Sequence, residues 1–155
     1  MRLYLVRHAH AGVRSNADRH DKYRQLSDRG RRAADRIAAS LAHIDVKAIV
    51  SSPSTRCVQT IEPLAASLGL DVIEDDRLWE DASIDEAIEV LMEHRHKGAV
   101  LCSHGNMIPE MLHWLIQEGM KTKGRGCAKG SVWTISLENG SFTKALYTSL
   151  DDLPH

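Results

Sequence analysis

The sequence predicts an α/β protein, a three-layer α/β/α arrangement with a mostly parallel central sheet and a C-terminal antiparallel hairpin. Three observations predict it. Short apolar runs alternate with longer segments whose apolar residues recur at helical spacing, the pattern of parallel strands joined by crossover helices. The last part of the chain carries two alternating runs around Asn139-Gly140, a hairpin signal. The length of 155 residues fits a single domain spanning 1–155, able to bury a core without disulfide or metal staples.

Each element has its own signature. Leu3 to Val6 is an apolar run ending in Arg7-His8, a first strand. Residues 9–25 are polar and aperiodic, a long loop of the kind that is usually functional. Ser27 reads as a helix N-cap, with Ala33, Ala34, Ile37, Ala38 and Leu41 on one face of the helix behind it. Lys47 to Val50 is a second strand, then Ser51-Ser52-Pro53 turns into a helix from about Ser54 to Leu68, stopped by Gly69. Val72 and Ile73 mark a third strand. Ile84, Ala87, Ile88 and Leu91 give an amphipathic helix over 84–95, with Gly98 beyond it. Ala99 to Cys102 is a fourth strand. Pro109 suits the first turn of the helix carrying Ile108, Met111, Leu112 and Leu115. Residues 119–130 read as a Gly- and Lys-rich loop before the strands Val132–Leu137 and Phe142–Tyr147.

Composition excludes several classes. Twenty Lys and Arg against 21 Asp and Glu give a net charge of −1, which argues against a general nucleic-acid binder and a polybasic membrane anchor. No stretch approaches the ~18 apolar residues of a membrane span. Cys57, Cys102 and Cys127 are too few and too scattered for a disulfide framework or a zinc ribbon, so the expectation is a soluble, cytoplasmic protein with reduced thiols. The nine histidines are the one oddity of composition.

Two of those histidines, His8 and His104, follow predicted strands directly, and Arg56 and Glu80 follow two others. Strand ends of an open α/β sheet share one rim, where ligands bind. The set suits phosphoryl transfer. An imidazole attacks phosphorus, guanidinium groups grip phosphate oxygens, and a carboxylic acid protonates the leaving oxygen. Arg7 and Arg56 are also expected to keep His8 neutral and nucleophilic. Asn106 could aim an amide at the phosphate or cap the following helix.

The motifs resemble those of the histidine phosphatase superfamily. Leu5-Val6-Arg7-His8-Ala9 resembles its Arg-His-Gly signature, with Ala9 where the family has Gly. Leu26-Ser27-x-x-Gly30, Ser51-Ser52-Pro53-x-x-Arg56-Cys57-x-Gln59-Thr60, Leu78-Trp79-Glu80 and Ser103-His104-Gly105 are similar to its further motifs, in the same order. The resemblance implies a phosphoglycerate mutase-like fold. It implies His8 as the phosphorylated nucleophile, Arg7, Arg56 and His104 as phosphoryl ligands, and Glu80 as proton donor, with neither metal nor cofactor. Asp81 is the competing acid. The hairpin and the short length resemble the compact branch that includes SixA-type phosphohistidine phosphatases. They also resemble the phosphatase half of mycobacterial Nudix–phosphatase fusions. A phosphorylated small molecule, a nucleotide or a phosphoprotein is the expected partner, with no nucleic-acid polymer and no membrane.

Three other readings compete: a phosphoglycerate-type mutase, a catalytically silent phospho-ligand binding module, and a His-rich metal protein. Arg19-His20 and Arg95-His96 read as surface residues, and His94 and His96 as helix residues that do not face one another. His10 and His20 read as solvated loop residues, though either could touch substrate. Trp79 and Trp133 read as core, though either could stack a base. Lys121, Lys123, Arg125 and Lys129 form a basic group, as do Arg14, Arg19, Lys22 and Arg24. Each could draw in a polyanion or simply be solvated.

Overall fold

A computed structural model describes residues 1–13 and 21–154. The elements run β1 (Arg2–Arg7), α1 (Asp28–Ser40), β2 (Ala48–Ser51), α2 (Thr55–Leu68), β3 (Val72–Glu74), α3 (Ile84–His94), β4 (Ala99–Ser103), α4 (Ile108–Gln117), β5 (Lys121–Lys123), β6 (Val132–Glu138) and β7 (Ser141–Thr148). Short 3-10 turns cover Asp76–Leu78 and Leu150–Asp152.

The local chemistry accounts for the boundaries. Ser27, Ser54 and Ser83 stand at the N-caps of α1, α2 and α3, where each side-chain oxygen accepts from the backbone N–H three residues on. Gly69 ends α2 in the left-handed conformation, φ 69°. Asn139 and Gly140 both have positive φ, 52° and 78°, which is the turn a two-residue hairpin needs.

The sheet order is β3-β2-β4-β1-β6-β7-β5. The first four strands are mutually parallel, β1 pairs antiparallel with β6, and β6 with β7. The apolar runs are buried on both faces. Leu3, Leu5, Ala99 and Leu101 pack on the side of α3 and α4. Tyr4, Val6, Val100 and Cys102, their alternate neighbours, pack on the side of α1 and α2. Strand periodicity of two therefore feeds two cores from each run, which is why these strands carry no polar alternation.

Two sequence expectations are corrected. Residues 119–130 are not all loop: Lys121–Lys123 forms β5, an exposed edge strand pairing parallel with β7. Three exposed polar residues carry no hydrophobic signal, and only the β7 edge makes them a strand. Helix α3 stops at His94, with Arg95 at its C-cap, so His96 is not a helix residue; it lies against Gly140 of the hairpin turn. The 3-10 turns, too short to show a period, were also absent from the sequence reading. Arg14, Arg19 and His20 lie outside the described residues.

Candidate active site

The spatial order of the four parallel strands sets the order of groups along their carboxyl ends. β3 leads to Glu80, β2 to Arg56, β4 to His104 and β1 to Arg7-His8. These side chains line one cavity of about 780 Å³, together with His10, Arg24, Asp81 and Lys129. A cavity of that size exceeds what a single phosphoryl group fills.

His8 is 5% exposed. Its Nδ1 lies 2.8 Å from the carbonyl of Ala9. A proton on Nδ1 donated to that carbonyl leaves the lone pair on Nε2, the tautomer of a nucleophile. Burial lowers the His8 pKa from 6.5 to about 4, opposed by Cys57 and the Ala9 carbonyl and helped by His104 and Arg56. The sequence had assigned neutrality to Arg7 and Arg56. Burial is the largest cause, and Arg56 is a minor one.

His104 is 2% exposed, and its ring centroid lies 5.5 Å from that of His8. Ser52 Oγ holds its Nε2 at 2.8 Å, and its ring meets that of Trp79 in a T-shaped contact with the centroids 5.4 Å apart. Arg56 sits in the first turn of α2 and is 1% exposed. A cation there opposes the helix dipole, so its place is fixed by tertiary partners. Nη1 donates to the carbonyl of Asp21 at 2.6 Å, and Nη2 lies 3.3 Å from Glu80 Oε2 and 3.4 Å from His104 Nδ1. Arg7 Nη1 donates to the carbonyl of Cys127 at 2.7 Å. The Nε–H groups of Arg7 and Arg56 are buried and have no hydrogen-bond acceptor among the described residues. Both guanidinium groups line the cavity, so each retains donor capacity for an anion.

Of the two candidate acids, Glu80 is the one in contact with the cluster. Its Oε2 lies 3.3 Å from Arg56 and 3.9 Å from His104 Nδ1, whereas Asp81 is exposed at the cavity edge. Asn106 neither caps α4 nor leaves its amide uncommitted. Met107 is the N-cap residue, and Asn106 Nδ2 donates to the backbone carbonyl of Glu80 at 2.7 Å. It ties the acid-bearing turn to the loop after β4.

Two glycines are set by close approach. A Cβ on Gly105 would fall 2.6 Å from Arg7 Cζ, and one on Gly30 would fall 1.9 Å from the carbonyl oxygen of His10. Ala9 has no such constraint. It is fully buried, its φ is not positive, and its N–H donates to Thr60 Oγ1 at 2.9 Å. Alanine therefore serves where the family pattern has glycine.

One residue of this neighbourhood, Asp21, was missed by sequence reasoning, and the structure gives others a definite place. Asp21 is 2% exposed with φ 43°; its carboxylate takes Arg24 at 2.9 Å while its carbonyl takes Arg56. It lies in an aperiodic loop that offered no signal. His10 is half-buried rather than solvated, lines the cavity, and pairs Nδ1 with Ser27 Oγ at 2.6 Å. Gln59 Oε1 accepts from the N–H of Leu26, so this motif residue anchors the start of α1. The basic loop divides. Lys129 lines the cavity, Lys121 and Lys123 stand on β5, and Arg125 lines a different cleft. Trp133 is core, donating to the Gly126 carbonyl, while half-buried Trp79 also lines a cleft with Tyr23 and Pro53. Among the described residues no group of three His, Cys, Asp or Glu side chains is spaced to hold a metal, and no helix is long and apolar enough to cross a membrane.

A buried histidine between a buried Arg56 and a half-buried Arg7 stands at the carboxyl ends of the parallel strands β3-β2-β4-β1. The model of the histidine phosphatase superfamily (branch 1) matches residues 3–83, and the chain belongs to that superfamily. An 8-oxo-(d)GTP phosphatase of Mycolicibacterium smegmatis is 33% identical over 156 residues, which covers 97% of this chain and 48% of the relative. A 2,3-bisphosphoglycerate-dependent phosphoglycerate mutase of Thermoplasma acidophilum is 35% identical over 78 residues, 49% of this chain and 39% of the relative. The chain thus spans about half the length or less of these curated relatives. The protein histidine phosphatase SixA, solved with tungstate, superposes with a TM-score of 0.80 at 18% identity, covering 99% of this chain and 100% of that one. A mycobacterial glucosyl-3-phosphoglycerate phosphatase gives 0.71 at 18% identity, covering 94% and 96%. These two likenesses carry the phosphoglycerate mutase-like fold.

Proposed function

We propose that the protein is a phosphatase acting through a phosphohistidine on His8. The observation that carries the reading is the convergence of a buried, neutral His8 on two guanidinium groups whose Nε–H donors have no acceptor among the described residues. His8 Nε2 attacks phosphorus, and the bond from phosphorus to the leaving oxygen breaks. Glu80 gives its proton to that oxygen. Water then attacks phospho-His8, Glu80 takes the water's proton, and inorganic phosphate leaves. Arg7, Arg56 and His104 hold the equatorial oxygens, where charge stabilisation does most of the work in phosphoryl transfer. Asn106, bonded to the Glu80 carbonyl, acts as a positioning residue.

The reading needs no metal, because guanidinium groups take the charge-neutralising role. It treats residues 1–155 as one phosphatase domain. The three free thiols favour the cytoplasm as its compartment. The substrate is a phosphorylated small molecule, a nucleotide or a protein phosphohistidine.

Phosphate release from p-nitrophenyl phosphate and from a metabolite and phosphopeptide panel tests this. His8→Ala is expected to lose at least ~10³-fold in turnover, the scale of removing a covalent nucleophile. Chelator is expected to leave the wild-type rate unchanged. His8→Ala turning over at the wild-type rate would overturn the reading. The mutase relative favours a second reading, which predicts a transfer product in place of released phosphate.

A further inference from the structure

The cations of the cavity outnumber what one phosphoryl group uses. Arg7 and Arg56 flank His8, but Lys129 and His10 line the same cavity further out. The same two residues also line an adjoining cleft that contains Arg29 and, against them, Asp151. Lys129 is fixed close to the nucleophile by its backbone. The next residue, Gly130, donates its N–H to the carbonyls of both Arg7 and His8, at 3.1 and 3.2 Å. His10 is fixed by its Nδ1 contact with Ser27, at the start of α1.

These positive groups crowd one another. The Lys129 pKa is lowered by burial and then by Arg7, Arg24, Arg29 and Arg56. The His10 pKa is lowered by burial and then by Arg29, Lys129 and Arg24. Arg24 is largely compensated, because Asp21 takes its Nε and Nη2 and the Gly12 carbonyl takes Nη1. Lys129 and Arg29 have no such compensation: among the described residues no hydrogen bond or ion pair occupies either side chain. Like charges held this close, with the exposed Asp151 as the carboxylate lining their cleft, cost free energy in the empty protein, and a bound anion relieves it.

We propose that Lys129, His10 and Arg29 form a second phosphate subsite beside the phosphoryl pocket, so that the substrate is a phosphoanhydride whose terminal phosphate reaches His8. The inference rests on the phosphatase reading of the same cavity and narrows its substrate class to compounds bearing a diphosphate or longer chain. A simple monoester fills the inner pocket and leaves the outer cations unused.

Two measurements test it. Calorimetric titration of the wild type is expected to give pyrophosphate about tenfold or more tighter binding than inorganic phosphate, the scale of one added charge-assisted hydrogen bond. Lys129→Gln and Arg29→Gln should each shrink that ratio. The charge-matched control Lys121→Gln, on β5, should not. In turnover, Lys129→Gln should lower kcat/KM for ADP at least tenfold more than for AMP or p-nitrophenyl phosphate. Equal wild-type affinity for pyrophosphate and phosphate would overturn the subsite. So would an equal loss in Lys129→Gln on all substrates. If 3-phosphoglycerate, a monoester bearing a carboxylate, loses as much as ADP, the diphosphate assignment is overturned. Failure of the phosphatase reading looks different: pyrophosphate preference persists in the titration while wild type and His8→Ala turn over alike.

Discussion

Gly105 shows how closely the groups around His8 are fitted. Its Cα faces the Arg7 guanidinium, and an added methyl would sit 2.6 Å from Cζ. Because the clash is with the far end of a flexible side chain, the backbone need not move. Gly105→Ala is therefore expected to lower kcat/KM about tenfold or more, the scale of one displaced charge-assisted contact, with little change in Tm. Kinetics and thermal melts on one sample separate the two effects. His8 makes a second prediction, about pH. In the unfolded chain it takes a proton below about 6.5, but in the fold only below about 4. Between those values the unfolded state binds more protons, so stability is full above the upper value and falls as pH drops towards the lower one. The shift corresponds to roughly 3 kcal/mol lost by pH 4. Urea unfolding at pH 7 and pH 4.5 should show a smaller decline for His8→Asn than for wild type. An identical decline would remove His8 as the cause.

Helix α2 does more than any other element to assemble the cluster. From one end it supplies Arg56 to the cavity, Thr60 Oγ1 to the Ala9 N–H, and Gln59 Oε1 to the Leu26 N–H. Cys57, fully buried, places Sγ 3.6 Å from His104 Nε2. Thr60→Val keeps the shape but removes the acceptor, leaving a buried N–H beside the nucleophile. The expected cost is about 1–3 kcal/mol in chemical denaturation. Glu80 depends on another element. The 3-10 turn before it is clamped by Arg77, which reaches Asp75 at 2.8 Å and Glu93 of α3 at 2.7 Å. These are partly exposed pairs, so Arg77→Ala should cost only about 1 kcal/mol of stability. Its larger effect is expected in kcat, because the turn carrying Glu80 loosens.

At the scale of the whole molecule, a net charge of −1 coexists with a cavity lined by four cationic side chains and two carboxylates. Acidic residues elsewhere balance the total, so the field at the cavity is opposite in sign to that of the chain. Raising ionic strength from about 0.01 to 0.15 M shortens the Debye length from roughly 30 to 8 Å. kcat/KM for an anionic phosphate should fall across that range while kcat changes less; a flat profile would count against steering by these cations. The sheet edges are managed separately. β5 presents Lys121 and Lys123, both exposed, at the strand that closes one side of the sheet, a placement that discourages pairing with another chain.

The sequence by itself determined the alternation of strands and helices, the serine caps, the Asn139-Gly140 turn, and the rim where His8, Arg56, Glu80 and His104 gather. Each of these is written in local chemistry: an apolar run, a capping hydroxyl, a residue type that tolerates positive φ. It also carried the motifs that mark the superfamily. Only the tertiary structure decided that Asp21 holds Arg56, that Lys129 and His10 line the cavity while Lys121 and Lys123 do not, that Asn106 serves Glu80, and that β5 is a strand. These outcomes depend on contacts between residues far apart in the chain, with no period or spacing to announce them. The His8 pKa belongs to the same group, because burial, its largest cause, is a property of the assembled layers and not of any segment.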